Sequence, residues 1–307
     1  MHLFYPIDIK MRSSIVLLIT LVLIVALAAL IAIALDVVQN TSQTVEKKKA
    51  LIQKTLLAQN VVKMLNKSSV KIETPTDLQQ FLALPYYLKT DEIEITITFD
   101  SAAKGLNPNL LMQKRGNRDS VNTELLFLFD KILLYYNVAN KELFLAMIED
   151  TLDSDLNERM PGSELSLYDR RFAQGRIENK KKFQMLIDAY VKLTEDGNIK
   201  KVPWEKLVSF YNHAIDINYI SAELLAVMLS YADEASLKNF LGSRGVYSSI
   251  DNLPLPKEER LKLKKYGVTT FVPIVQGHLC MKRPKHDECV RFVYNLAEKK
   301  VLDIALF

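Results

Sequence analysis

The chain has 307 residues, 49% of them hydrophobic and 25% charged, a balance that excludes a disordered protein. Its net charge of +4 is too small to argue for a nucleic-acid partner, and the basic clusters Lys47–Lys49, Lys180–Lys182 and Lys262–Lys265 read as solvated helix faces. The length allows one or two domains besides a terminal segment.

The first predicted element is an apolar span. Ile15–Leu35 has no charge and one polar side chain, Thr20. It meets the ~20-residue requirement of a bilayer core. A cleavable signal peptide would have a shorter apolar region of ~7–15 residues, followed by polar sequence. No proline or glycine occurs from Ile15 to Lys67. One helix of ~80 Å is therefore predicted, its first half in a membrane and its second half in water. Lys10 and Arg12 precede the span and Asp36 follows it. That asymmetry, reduced by Lys47–Lys49, puts residues 1–14 in the cytoplasm and the bulk of the chain outside it.

Beyond Leu35 the pattern turns amphipathic. Leu51, Thr55, Ala58, Val62 and Leu65 form a stripe along one helix face. Pro75 and Pro85 mark breaks. Ile93, Ile95, Ile97 and Phe99 alternate with polar residues, which predicts a half-buried strand whose apolar face packs on that stripe. Ser101–Asn122, with Gly105, Pro108 and Gly116, reads mostly as loop. Helices are predicted at Thr123–Tyr136, Lys141–Leu152, Glu178–Leu193, Pro203–His213, Ser221–Leu229, Glu234–Leu241 and Lys257–Lys264. Gly242 and Gly267 suit helix ends.

Strand chemistry returns at the end. Val268–Cys280 is β-rich, with Pro273 suggesting an edge position. Val290, Phe292, Tyr294 and Leu296 alternate, and Val301–Phe307 follows a turn. The two cysteines, Cys280 and Cys289, flank a polar stretch; in an oxidising compartment they predict a disulfide across a hairpin tip. Closing so short a loop contributes roughly 2–3 kcal/mol. Only His278 and His286 lie nearby, too few for a zinc site. The fold class is α+β. An α/β domain of residues 36–100 and 266–307 receives an inserted, mostly helical domain of residues 101–265.

One constellation looks chemical. Asp153, Asp155, Asn157 and Glu164 occupy positions 1, 3, 5 and 12 of a 12-residue stretch, the side-chain oxygen positions of a calcium-binding EF-hand loop. Position 6 departs from that pattern, with Glu158 in place of glycine. The alternatives are a calcium site and an acidic solvated loop. Clustered carboxylates including Asp150 fit metal binding better than general acid–base work. The four histidines, His2, His213, His278 and His286, are scattered, and no phosphate loop or nucleophile elbow occurs. The chain is expected not to be an enzyme.

Four segments together resemble one family, the minor pseudopilin K (GspK) of type II secretion systems. Val16–Leu27 (VLLITLVLIVAL) is similar to its hydrophobic start. Phe99–Leu110 (FDSAAKGLNPNL) matches its N-x-N through Asn107 and Asn109. Asp150–Tyr168 (DTLDSDLNERMPGSELSLY) matches its acidic segment at Asp150, Asp153, Asp155, Gly162, Glu164 and Tyr168, with Thr151 in place of tryptophan and Ser163 in place of alanine. Ile215–Leu225 (IDINYISAELL) matches at Asn218, Ser221 and Leu225, with Asp216 in place of asparagine.

The resemblance implies a pilin-like α/β domain with a large helical insertion, and calcium near the acidic segment. It also implies a bacterial inner-membrane protein with a periplasmic bulk. Such a protein sits at the tip of the pseudopilus, complexed with other minor pseudopilins and working with the secretion inner-membrane platform. Thr20 stands where most pilins carry a glutamate that neutralises a neighbour's terminal amine, which suits a subunit with no such neighbour to pair. The family is cut by prepilin peptidase after a glycine; here Arg12, Ser13 and Ser14 precede Ile15, so cleavage would follow Ser13 or Ser14. The alternative function is a tip pilin or helix-hairpin-helix-like module binding DNA through Asn218–Leu229. That segment lacks the glycine-rich hairpin and basic flank such binding uses.

Overall fold

Strands from two distant stretches of sequence meet in one antiparallel sheet. The computed structural model describes residues 71–89, 94–115, 118–229, 245–283 and 286–306, with Leu237 and most of 52–67. The chain divides into two units, Met1–Leu57 and Ala58–Phe307. Of the first unit, Ile52 and residues 55–57 are described, and they are helical. The expected span Ile15–Leu35, Thr20, the leader residues Ser13, Ser14 and Ile15, and the helix expected at Glu234–Leu241 (apart from Leu237) lie outside the described residues. Among the described residues no helix is long and apolar enough to cross a membrane.

In the second unit, β1 (Tyr86–Lys89) and β2 (Glu94–Ser101) join β7 (Ile274–Arg283), β8 (His286–Asn295) and β9 (Lys300–Leu306). The order is β1-β2-β7-β8-β9, antiparallel throughout. Pro273 therefore does not mark an edge. It stands one residue before the central strand, and its carbonyl accepts a hydrogen bond from Leu296 N. A proline is tolerated there because the ladder has not yet begun.

The period-2 pattern sorts side chains onto two faces. Phe99, Gly277 and Phe292 are direct partners across β2, β7 and β8. Phe292 folds over the glycine and meets Phe99 edge-on, with centroids 6.0 Å apart. A Cβ on Gly277 would come within 2.2 Å of that ring, so only glycine fits. On the same face Phe99 packs against Phe81 of α1 (Pro75–Ala83), centroids 4.8 Å apart. The helix over residues 59–67 buries Val61 and Val62, and Asn66 of it accepts a hydrogen bond from the Tyr294 hydroxyl.

The segment between β2 and β7 is mainly helical. A short hairpin, β3 (Met112–Arg115) with β4 (Arg118–Val121), comes first. Then follow α2 (Thr123–Tyr135), α3 (Lys141–Leu152), α4 (Leu165–Tyr168), α5 (Lys180–Thr194), α6 (Trp204–Leu207), α7 (Ala222–Met228) and α8 (Lys257–Lys265). Asn122, Asn179 and Ser221 cap α2, α5 and α7 by accepting from first-turn amides. The core centres on Phe144, which meets Phe183, Tyr190 and Trp204 at centroid distances of 5.6–6.0 Å. Full burial of each such ring contributes roughly 1.5–3 kcal/mol.

The helix expected at Pro203–His213 stops at Leu207. Val208 instead bridges Leu106 in parallel, and Ser209 N donates to Leu106 O. Gly105 permits this approach: a Cβ there would lie 2.8 Å from the Leu207 carbonyl oxygen.

Candidate functional site: the acidic loop and the polar clamps

The acidic segment starts at the C-terminus of α3. Glu149 and Asp150 are on its last turn and Asp153 is its C-cap. Negative charge is disfavoured at that end of a helix by the macrodipole. The chain answers with Arg159. Its Nε lies 3.0 Å from Glu149 Oε2, and its Nη1 contacts both Asp150 and Asp153. The side chains of Asp150 and Asp153 are almost fully buried. Burial raises the pKa of Glu149 against the pull of Arg159, and burial likewise raises Asp153. Burial also opposes the charge on Arg159, but its hydrogen bonds to Asp153 and Asp150 outweigh that and raise its pKa.

The loop after Asp153 is stitched locally. Asp155 Oδ1 accepts from Asn157 N at 2.8 Å, and both residues are exposed. Glu158 Oε1 accepts from Gly162 N at 3.0 Å. Gly162 adopts φ +88°, which a residue with a Cβ rarely takes. Ser163 Oγ donates to Asp150 Oδ2 at 2.5 Å. Glu164 is buried; its Oε1 accepts from Ser166 N and Oγ, and its Oε2 accepts from Gln174 Nε2 at 2.7 Å. Gln174 Nε2 also faces the carbonyl oxygens of Asp155 and Asp150.

The four residues expected to hold calcium are thus not gathered as a cage. Asp153 turns to Arg159, Glu164 to Ser166 and Gln174, and Asp155 and Asn157 face solvent. Among the described residues no group of three or more His, Cys, Asp or Glu side chains converges to hold a metal ion. Asp153 Oδ1 is buried without a hydrogen-bond partner. Glu158, which stands where the EF-hand pattern has glycine, accepts from Gly162 N, and Arg159 contacts the first residue of the pattern, Asp153. Sequence reasoning misses both Arg159 and Gln174: a basic residue inside an acidic stretch was an available clue to the first, and nothing in the spacing points to the second.

The other segments behind the resemblance also act as polar clamps. Asn107 Nδ2 donates to Asn212 O at 2.7 Å, and Asn107 Oδ1 accepts from Asn109 N. Asn109 exchanges hydrogen bonds with the backbone of Ile177, at 2.7 and 2.9 Å. Asn218 Nδ2 donates to Thr270 O and Tyr247 O, and Asn218 Oδ1 accepts from Tyr247 N. Asn218 is therefore turned to protein backbone rather than offered to a phosphate. Asp216 is fully buried in the short parallel pair β5 (Ile215–Asp216) and β6 (Val268–Thr269). It accepts from Asn218 N at 3.0 Å and Val272 N at 3.1 Å, while its own N–H donates to Ala103 O. Burial pushes its pKa up to about 6. These bonds tie the stretch after β2 to the stretch before β7, where the chain passes between sheet and helices.

Cys280 and Cys289 are direct cross-strand partners in β7 and β8 and form a disulfide, with Cα atoms 4.1 Å apart. The predicted pairing is present.

Sheet, helical segment and clamps together define the class: a mixed α+β protein of GspK-like fold. The chain is similar in structure to a chain of the GspK-GspI-GspJ complex from the enterotoxigenic Escherichia coli type 2 secretion system. The TM-score is 0.58 at 14% identity, over 87% of this chain and 99% of that chain. At that identity the likeness is one of fold. No family model matches the sequence, and no curated protein is similar to it in sequence.

Proposed function

We propose that this chain is a minor pseudopilin of a type II secretion system or of a related type IV filament. In this reading it sits at the tip of the pseudopilus and initiates assembly with other minor pseudopilins on the inner-membrane platform. Its role is structural, not catalytic. The observation that carries the reading is the fold match, which spans nearly all of a chain taken from a pseudopilin complex. A disulfide-bonded hairpin suits an oxidising periplasm. The span Ile15–Leu35 would anchor the chain in the inner membrane, with prepilin peptidase acting ahead of Ile15.

Exposed apolar side chains give partners a surface. On α2, Phe127 and Leu134 are 53% and 61% exposed on the face opposite the buried Phe129, Ile132 and Leu125, and Tyr135, 64% exposed, lies at the edge of the buried stripe. Exposed apolar side chains on an outer helix face, set here among Glu124, Asp130 and Lys131, suit a second contact. The test is co-purification: affinity capture of the full-length chain from its own cells is expected to bring down other minor pseudopilins. Capture without any of them counts against the reading.

A further inference from the structure

We infer that Arg159 is the resident cation of the acidic loop, so that this chain holds the loop without the calcium ion its sequence spacing invites. The argument is one of occupancy. Arg159 Nε and Nη1 reach Glu149, Asp150 and Asp153; Asp153 is the first of the four residues whose spacing suggests a metal, and Glu149 and Asp150 stand just before it on the last turn of α3. The Arg159 amide adds a hydrogen bond to Asp150 Oδ2 at 3.1 Å, so backbone and side chain grip the same acid.

A neutral donor fills the other half. Gln174 Nε2 points at Glu164 Oε2 and at the carbonyls of Asp155 and Asp150, oxygens of the kind calcium takes. Of the buried carboxylate oxygens of Asp153 and Glu164, Asp153 Oδ1 remains without a partner. A calcium ion takes about six to eight oxygens. Loop order would then be independent of calcium supply, and so would any contact made by the exposed Leu156, Leu167 and Tyr168 that the loop carries. The inference stands apart from the proposed function, because its test uses the isolated chain.

Thermal unfolding of the purified full-length chain decides it. The wild type is expected to melt at the same temperature in excess EDTA and in millimolar calcium. A midpoint that falls with EDTA and recovers with calcium overturns the inference. Arg159→Gln leaves three acids without their cation and is expected to lower the midpoint by roughly 4–12 °C, less than for a fully buried ion pair because the arginine is partly exposed. Arg170→Gln, at an exposed arginine one loop away, serves as control. Equal midpoints for the two variants also overturn it. If Arg159→Gln does not fold, the wild-type measurement still decides.

Discussion

The ionisation of Asp216 has a direct consequence for stability. The folded state raises its pKa from an ordinary 3.8 to about 6, so it binds the proton more tightly than the unfolded chain does. Stability from this group is present at low pH and is lost as pH rises through that window, by on the order of 2–3 kcal/mol. Glu149 and Asp153, also raised, act in the same direction. The difference between wild type and Asp216→Asn isolates the one site. Urea unfolding at pH 5 and pH 7 is expected to show the wild type gaining stability at the lower pH relative to the variant. Parallel behaviour of the two proteins would remove the claim. No sequence feature announced this burial. Asp216 was legible only as a residue standing in place of an asparagine, because its desolvation comes from three chain segments, around residues 103, 216 and 272, that meet only after folding.

At the scale of elements, the β7–β8 hairpin is where local sequence and structure agree most closely. Alternation over Val290–Tyr294 and the cysteine spacing placed both the strands and the bond. Constraining so short a loop contributes roughly 2–3 kcal/mol, so Cys280→Ser with Cys289→Ser is expected to lower the melting midpoint by about 4–12 °C. Scanning calorimetry with and without reductant gives the same comparison in the wild type, and an unchanged midpoint would refute it. Other elements were missed for identifiable reasons. Pro75 read as a break, yet it is the first residue of α1, where a missing N–H costs nothing. The reciprocal cap between Thr74 and Asp77 was already in the sequence as a capping box. The β3–β4 hairpin was hidden in a segment read as loop, although Gly116-Asn117 is a two-residue hairpin sequence. Beyond Leu207, helical periodicity lost to a tertiary contact, the pairing of Val208 with Leu106.

At the scale of the whole molecule, strands from residues 86–101 and 274–306 build one sheet and the segment between them supplies most of the described helices. The proposed tip role makes a cellular prediction. Deleting the gene is expected to abolish secretion through the system while the platform proteins remain present, as immunoblots and a secretion assay would report; normal secretion would sink the proposal.

The sequence by itself determined the strand alternation, most helix positions, the cysteine pair and the resemblance, because these depend on spacing along the chain. Only the tertiary structure decided how the acidic loop is neutralised, why Gly105 and Gly277 are glycine, and what Asn107, Asn109 and Asn218 are for. Those answers depend on which distant backbone groups and charges come within hydrogen-bond reach, and linear spacing does not encode that. The acidic loop shows the difference most plainly: its spacing set out oxygen-bearing side chains, and the fold set a guanidinium against Asp150 and Asp153.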